Sequence, residues 1–226
     1  MTVIKDIRIY RSSIDNIDGN PLPIDFENRE LHRIIHRIVM KLRENNFILG
    51  DFNHLYINLT TCCVENEIAP AKRSKDRYHS WYRYYDVEIN RELFDMLESS
   101  QSTQLVIEIV ERVLQEHFCT QQFDTQFIRA CFSEAITQGE KMLMKFKEKK
   151  SAINTAIIYL RYMDNGRYFP LLRVYDKNNN LLLEKDLPET LELNAFGEIQ
   201  LSKKNVTIKP KNNVFARNLE PMTFIL

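Results

Sequence analysis

The chain has 226 residues, 44% of them hydrophobic and 27% charged, an ordinary globular composition with ample apolar material for a core. Its 31 basic and 31 acidic residues cancel to a formal net charge of zero, which argues against a chain-wide electrostatic footprint for nucleic acid and leaves room only for a local patch. No run approaches the length of a membrane span and MTVIKDIRIY lacks a signal-peptide core, so the expectation is a cytoplasmic chain with no membrane partner.

Residues 2 to 10 alternate apolar and polar and predict a first strand. The Gly, Pro and Asn of DNIDGNPLP then mark a loop. From about Glu27 to Asn45, Leu31, Ile34, Ile35, Ile38, Val39 and Leu42 recur at helical spacing. HLYINLTTCC and YHSWYRYYDVEI are rich in β-branched and aromatic residues and predict two strands. The polar VENEIAPAKRSKDR between them reads as a long, mobile connecting loop. Three helices follow: a short RELFDMLE capped by Asn90, a second from Thr103 to Phe118 capped by Ser102, and a third opened by Asp124 and reaching about Lys149.

After Ser151 the period changes from 3.6 to 2. TAIIYLRYM and RYFPLLRVYD flank Asn165-Gly166, the dipeptide of a tight hairpin turn, and LLLEKDL, LELNAFGEIQLS and NVTIKP continue as short strands. The predicted fold class is α+β: an N-terminal strand-helix-strand-strand unit, three central helices and a C-terminal antiparallel β-meander. The chain reads as one domain over 1–226, with a possible sub-boundary near 150 that separates a mixed part (1–150) from the meander (151–226).

Chemistry-bearing motifs are sparse, and no catalytic motif, cofactor or metal is predicted. His32 and His36 in ELHRIIHRIV have the spacing of a helical zinc site, but a zincin needs a Glu where Arg33 stands, Arg37 and Arg43 crowd the same helix, and no third ligand is evident. They read as boundary histidines beside the apolar stripe. Cys62, Cys63, Cys119 and Cys131 form no CxxC and no disulfide framework, so reduced thiols are expected. Five unclustered glycines exclude phosphate-cradling loops. One metal-nuclease pattern remains, Glu198 and Gln200 in GEIQLSKK with Lys203 near and Asp176 or Asp186 upstream, and a solvated edge strand accounts for the same letters.

The most distinctive stretch is AKRSKDRYHSWYRYYDVEI. It mixes Lys72, Arg73, Arg77 and Arg83 with His79, Trp81, Tyr82 and Tyr84 and contains the only Trp of the chain. Trp, Tyr and Arg dominate the energetics of protein interfaces, and aromatics with arginine also suit stacking on single-stranded nucleic acid. These eight residues are the candidate partner-binding site, while a buried central strand after a solvated basic loop is the plain structural explanation. With LYINLT, the aromatic strand YHSWYRYYDVEI and no enzyme motif, the chain resembles the immunity proteins of bacterial polymorphic toxin systems. That resemblance implies a cytoplasmic, non-catalytic module that neutralises a cognate protein toxin by binding and occlusion, with Trp81, Tyr82 and Arg83 as anchors. The neutral charge departs from the acidic bias of an inhibitor that mimics nucleic acid. The alternative is a nucleic-acid-binding protein, through the basic 72–83 stretch, or a magnesium-dependent nuclease using Glu198.

Overall fold

In a computed structural model the described residues are 2–13, 24–75, 79–190, 193–214 and 216–226, with the backbone alone for 72–75 and 194. They form a mixed α+β fold of four α-helices and eleven strands, with strands first, helices in the middle and antiparallel sheets at the end. No helix among them is long and apolar enough to cross a membrane. The chain divides into two compact units, Met1–Gly139 and Glu140–Leu226.

The first unit is built on a four-stranded sheet. Strand β1 (Asp6–Ser12), helix α1 (Arg29–Glu44) and strand β2 (His54–Thr60) make a βαβ crossover, because β1 and β2 pair in parallel and parallel neighbours need a long connection. Strand β4 (Tyr82–Glu88) also runs parallel to β2, on its other side. The polar stretch expected to be a loop contributes strand β3 (Ile68–Lys75), antiparallel to β4 at the sheet edge, so the order is β1-β2-β4-β3. Its edge position explains why the sequence hides it. Only an edge tolerates Pro70, and the register shifts between Pro70 and Lys75.

Side chains alternate across a strand, so Ile7, Ile9, Leu55, Ile57, Leu59 and Val87, all buried, form the apolar centre of one face. The apolar stripes of α1, α3 (Thr103–His117) and α4 (Thr125–Gln138) complete this core with Leu31, Ile35, Ile38, Val106, Val110, Ile128 and Phe132. The short α2 (Arg91–Met96) is capped by Asn90 and α4 by Asp124, as the sequence predicts. Ser102 does not cap α3; its hydroxyl lies against the carbonyls of Leu97 and Ser99 instead. The cap of α1 is Asn28, whose Oδ1 accepts from Leu31 N. The Asn28 amide nitrogen also reaches Leu97 O, Ser99 O and Thr103 Oγ1 at 3.2, 3.2 and 3.3 Å, which fastens the start of α1 to the α2–α3 connection.

Helix α4 ends at Gln138, well short of Lys149, because Gly139 takes a positive φ of 51° and turns the chain. Met142, Leu143 and Phe146 mimic a helical stripe, yet MKFKEKK is strand β5 (Met144–Lys150) of the second unit. There β5, β6 (Asn154–Tyr162), β7 (Tyr168–Asp176) and β8 (Leu181–Asp186) form one antiparallel sheet in chain order. The predicted hairpin joins β6 to β7, with Gly166 at φ 79° and its N–H bonded to Met163 O. A second antiparallel sheet holds β9 (Phe196–Leu201), β10 (Asn205–Pro210) and β11 (Met222–Ile225). Ala156, Ile158, Leu172 and Val174 of the first sheet share a buried core with Phe196, Ile199, Val206 and Ile208 of the second, a sandwich arrangement. Lys147 ties the sheets by donating to Phe196 O and Gly197 O at 2.7 and 2.6 Å.

Truncating Asn28 removes a cap and leaves the Leu97 and Ser99 carbonyls to Ser102 alone. Loss of the cap alone costs about 1 kcal/mol, and the loss of the amide donor to the Leu97 and Ser99 carbonyls, which keep Ser102, adds about 1–2 kcal/mol in total. Asn28→Ala is expected to lower the urea midpoint of the first unit, read by fluorescence of Trp81, the single tryptophan, by the equivalent of about 2–3 kcal/mol.

Candidate functional site

The second face of the first unit's sheet has a different character. In β2 the residues alternate with Leu55, Ile57 and Leu59 to put His54, Tyr56, Asn58 and Thr60 on this face. The parallel registers set Asp6, Arg8 and Tyr10 beside them on β1, and Tyr82, Tyr84 and Asp86 on β4. Tyrosines from three strands thereby meet. The Tyr56 ring lies 5.5 Å from Tyr10, 4.6 Å from Tyr82 and 5.0 Å from Tyr84, with the Arg8 guanidinium 5.7 Å over its centre. Tyr56, Tyr84 and Ala71 are buried, and Tyr10 and Tyr82 are half-buried against them. Beyond the tyrosines, Asn58 Nδ2 donates to Asp86 Oδ1 at 2.8 Å in a buried pair. Burial raises the Tyr56 pKa, and its hydroxyl bond with Tyr82 adds to the shift.

Toward the N-terminal ends of β2 and β4 the ring cluster reaches solvent. His54 stands 5.0 Å from Tyr82, His79 4.7 Å from Tyr82 and 5.3 Å from Trp81, and Trp81 meets Tyr82 edge-on at 6.0 Å. Trp81 is 44% exposed and His79 is exposed as well. The backbone here is held firmly. Trp81 O accepts from the N–H groups of Asn53 and His54, both at 3.2 Å, and Tyr82 N donates to His79 O at 2.9 Å. His54 also bonds the Asn53 side chain, and burial lowers its pKa.

Of the eight residues expected to act together, the five whose side chains are described do not share one surface. His79, Trp81 and Tyr82 gather at the exposed end of the cluster, and Tyr84 lies buried within it. Arg83 points to the opposite side of the sheet. There its guanidinium donates to Ser80 O, Tyr82 O and Asp51 Oδ2 at 2.6, 2.8 and 2.8 Å and lies 5.3 Å over the Phe52 ring. Arg83 thus anchors the turn that carries Trp81. Lys72 and Arg73 belong to β3, where the backbone alone is described, and Arg77 lies outside the described residues. Sequence reasoning missed Tyr10, Tyr56, His54 and Arg8. Their alternation within DIRIYRS and HLYINLT was the available signal, but only the parallel register puts them beside Tyr82.

The remaining candidate chemistry is dispersed. His32 Nε2 bonds Phe26 O at 3.1 Å, and burial pushes His36 down to about 4, against the pull of Asp6 and with the help of Arg37 and Arg43. Among the described residues no three His, Cys, Asp or Glu gather as a metal site, and all four cysteines are free thiols. Asp176 is occupied by the N–H groups of Asn178 and Asn180 and by the Asn180 amide, Asp186 pairs with Arg161, and Glu198 meets Gln200 at 3.4 Å on the exposed face of β9. The acids expected upstream of Glu198 are therefore engaged in a turn and a cross-strand pair. No family model matches the chain, and neither a curated protein nor a solved structure matches it.

An unfolded histidine titrates near 6.5, roughly two and a half units above folded His36. Between these values the unfolded chain binds the proton and the folded chain does not. The His36 contribution is complete above pH ~6.5 and drains away as pH falls toward ~4. The urea midpoint of the first unit is expected to drop across this window, and His36→Gln to flatten the drop.

Proposed function

We propose that this chain is a non-catalytic protein-binding module, an immunity protein that neutralises a cognate bacterial toxin in the cytoplasm by direct binding and occlusion. The observation that carries the reading is a half-exposed Trp81 flanked by His79 and Tyr82 on a turn fixed by backbone bonds and by Arg83. An exposed tryptophan backed by packed rings is already ordered before binding. A partner that covers it gains apolar burial with little loss of side-chain freedom, which is the property of an interface anchor. The buried tyrosines beneath it form a stiff support rather than a contact surface. The resemblance in LYINLT and YHSWYRYYDVEI supplies the partner class, a protein toxin, and occlusion needs no catalytic group on this chain.

Co-expression of the tagged chain with the neighbouring open reading frame of its host tests this directly. The expected result is a stoichiometric complex with a product that is toxic when expressed alone. Trp81→Ala is expected to weaken that complex by about 2 kcal/mol, roughly 30-fold in Kd, and Trp81→Ala with His79→Ala to abolish protection while the chain still folds. Unchanged affinity and protection in the double variant would refute the site. Recovery of nucleic acid alone, with affinity falling steeply as salt rises, would refute the function.

A further inference from the structure

The second unit leaves one strand edge unusually open. Among the described residues β8 has a single hydrogen-bonded neighbour, β7, and lies at the end of its sheet. Five of its six residues are exposed, including Leu181 at 51% and Leu182 at 44%. The opposite edge of the same sheet is β5, whose four lysines, Lys145, Lys147, Lys149 and Lys150, outnumber its one acid, Glu148, which Lys145 and Lys150 share, and that net positive charge is of the kind that keeps other strands away. β8 carries one lysine.

The direction of its free backbone groups follows from the ladder. Leu187 N donates to Pro170 O at 2.9 Å, so residues 187 and 170 form a hydrogen-bonded pair. Bonded and non-bonded pairs alternate in antiparallel strands, so Lys185 and Leu183 bond inward to Leu172 and Val174. The N–H and C=O of Glu184 and Asp186 then point away from β7, into the open edge. Their carboxylates do not guard that edge. Arg173 on β7 holds Glu184 at 2.7 Å, and Arg161 on β6 holds Asp186. Both acids are drawn back across the sheet and neutralised there. What remains on the edge is two leucines and Lys185, which has no ion-pair partner among the described residues. Beside the edge an open depression of about 550 Å³ runs across the outer face of the sheet, with Leu143 and Leu171 contributing apolar surface and Lys141 a further cation without an ion-pair partner among the described residues.

We propose that β8 accepts an extended segment of a partner protein as a fifth strand, one whose side chains are apolar opposite Leu181 and Leu182 and acidic opposite Lys185. Main-chain bonds to Glu184 and Asp186 supply the affinity and the Lys185 contact supplies selectivity. A second copy of this chain fits less well. Antiparallel self-pairing centred on Lys185 sets that lysine against its own copy, and pairing centred on Leu182, Leu183 or Glu184 leaves it without an acid. This surface belongs to the second unit and does not rest on the role given to Trp81.

The test is a two-dimensional amide NMR titration of the full chain with a blocked seven-residue peptide, Thr-Thr-Asp-Thr-Thr-Val-Val, which in antiparallel register sets its aspartate opposite Lys185 and its valines opposite Leu182 and Leu181. Saturable shifts are expected at Glu184, Lys185 and Asp186, unchanged in Trp81→Ala. Methylating alternate peptide nitrogens is expected to weaken binding at least tenfold, because it removes strand hydrogen bonds and keeps every side chain. Lys185→Glu is expected to weaken the aspartate peptide at least tenfold and to favour its lysine counterpart. No saturable shift at β8 up to millimolar peptide, or equal binding of the methylated peptide, would overturn the proposal. Concentration-dependent shifts at β8 without peptide, matched by a dimer in light scattering, would overturn it in favour of a second copy.

Discussion

The first unit depends on β2 lying between two parallel partners, β1 and β4. A strand in that position hydrogen-bonds on both sides and must bury both faces. Leu55, Ile57 and Leu59 meet the helices, while Tyr56, Asn58 and Thr60 are equally buried on the other side. Full burial of one such aliphatic side chain is worth about 1.5–3 kcal/mol, so the apolar face is enough to fix the register. A slip by one residue would exchange the two faces and put Asn58 into the helical core. The buried Asn58–Asp86 bond acts in the same direction from the other side, since an unpaired amide there would cost about 1–3 kcal/mol.

From this register comes the graded character of the aromatic cluster. At its centre the tyrosines are buried and serve only to pack, and at the strand ends the same stacking delivers His79 and Trp81 to solvent. Arg83 contributes from the far face by closing the Ser80 turn onto Asp51. A guanidinium offers five donors in a rigid fork, and three of its contacts here are spent within the chain. Consecutive residues of β4 thus differ in place: Tyr82 closes the exposed end of the ring cluster, Arg83 fastens the turn before it and Tyr84 packs in the cluster's centre.

The neutral overall charge conceals an uneven distribution in the second unit. Lysines collect on β5, while the acids of β8 are paired with arginines of neighbouring strands. Paired charges weaken the usual defence of an edge, because a neutralised carboxylate repels an approaching strand less than a free one. Elsewhere the same unit is tightly constrained. A Cβ on Gly197 would stand 2.7 Å from the Lys209 and Pro210 carbonyls, so β9 and β10 meet there only because that residue is glycine.

Periodicity and turn chemistry by themselves determined much of this protein: the α+β class, the stripe of α1, the Asn90 and Asp124 caps and the Asn165-Gly166 hairpin all follow from local residue patterns. These features are stabilised within a few residues of one another, so a local reading reaches them. The tertiary structure decided the rest. Edge strand β3 is hidden by Pro70 and its charges, and β5 is hidden by an apolar spacing that fits a helix as well as a strand, with Gly139 deciding between them. At the candidate site, the sequence marked Trp81 and its neighbours. The parallel pairing of three strands brought in Tyr10, Tyr56 and His54 and sent Arg83 to the other face. Strand pairing is a choice among distant partners, made by burial on both faces at once, and no short stretch of sequence carries that information.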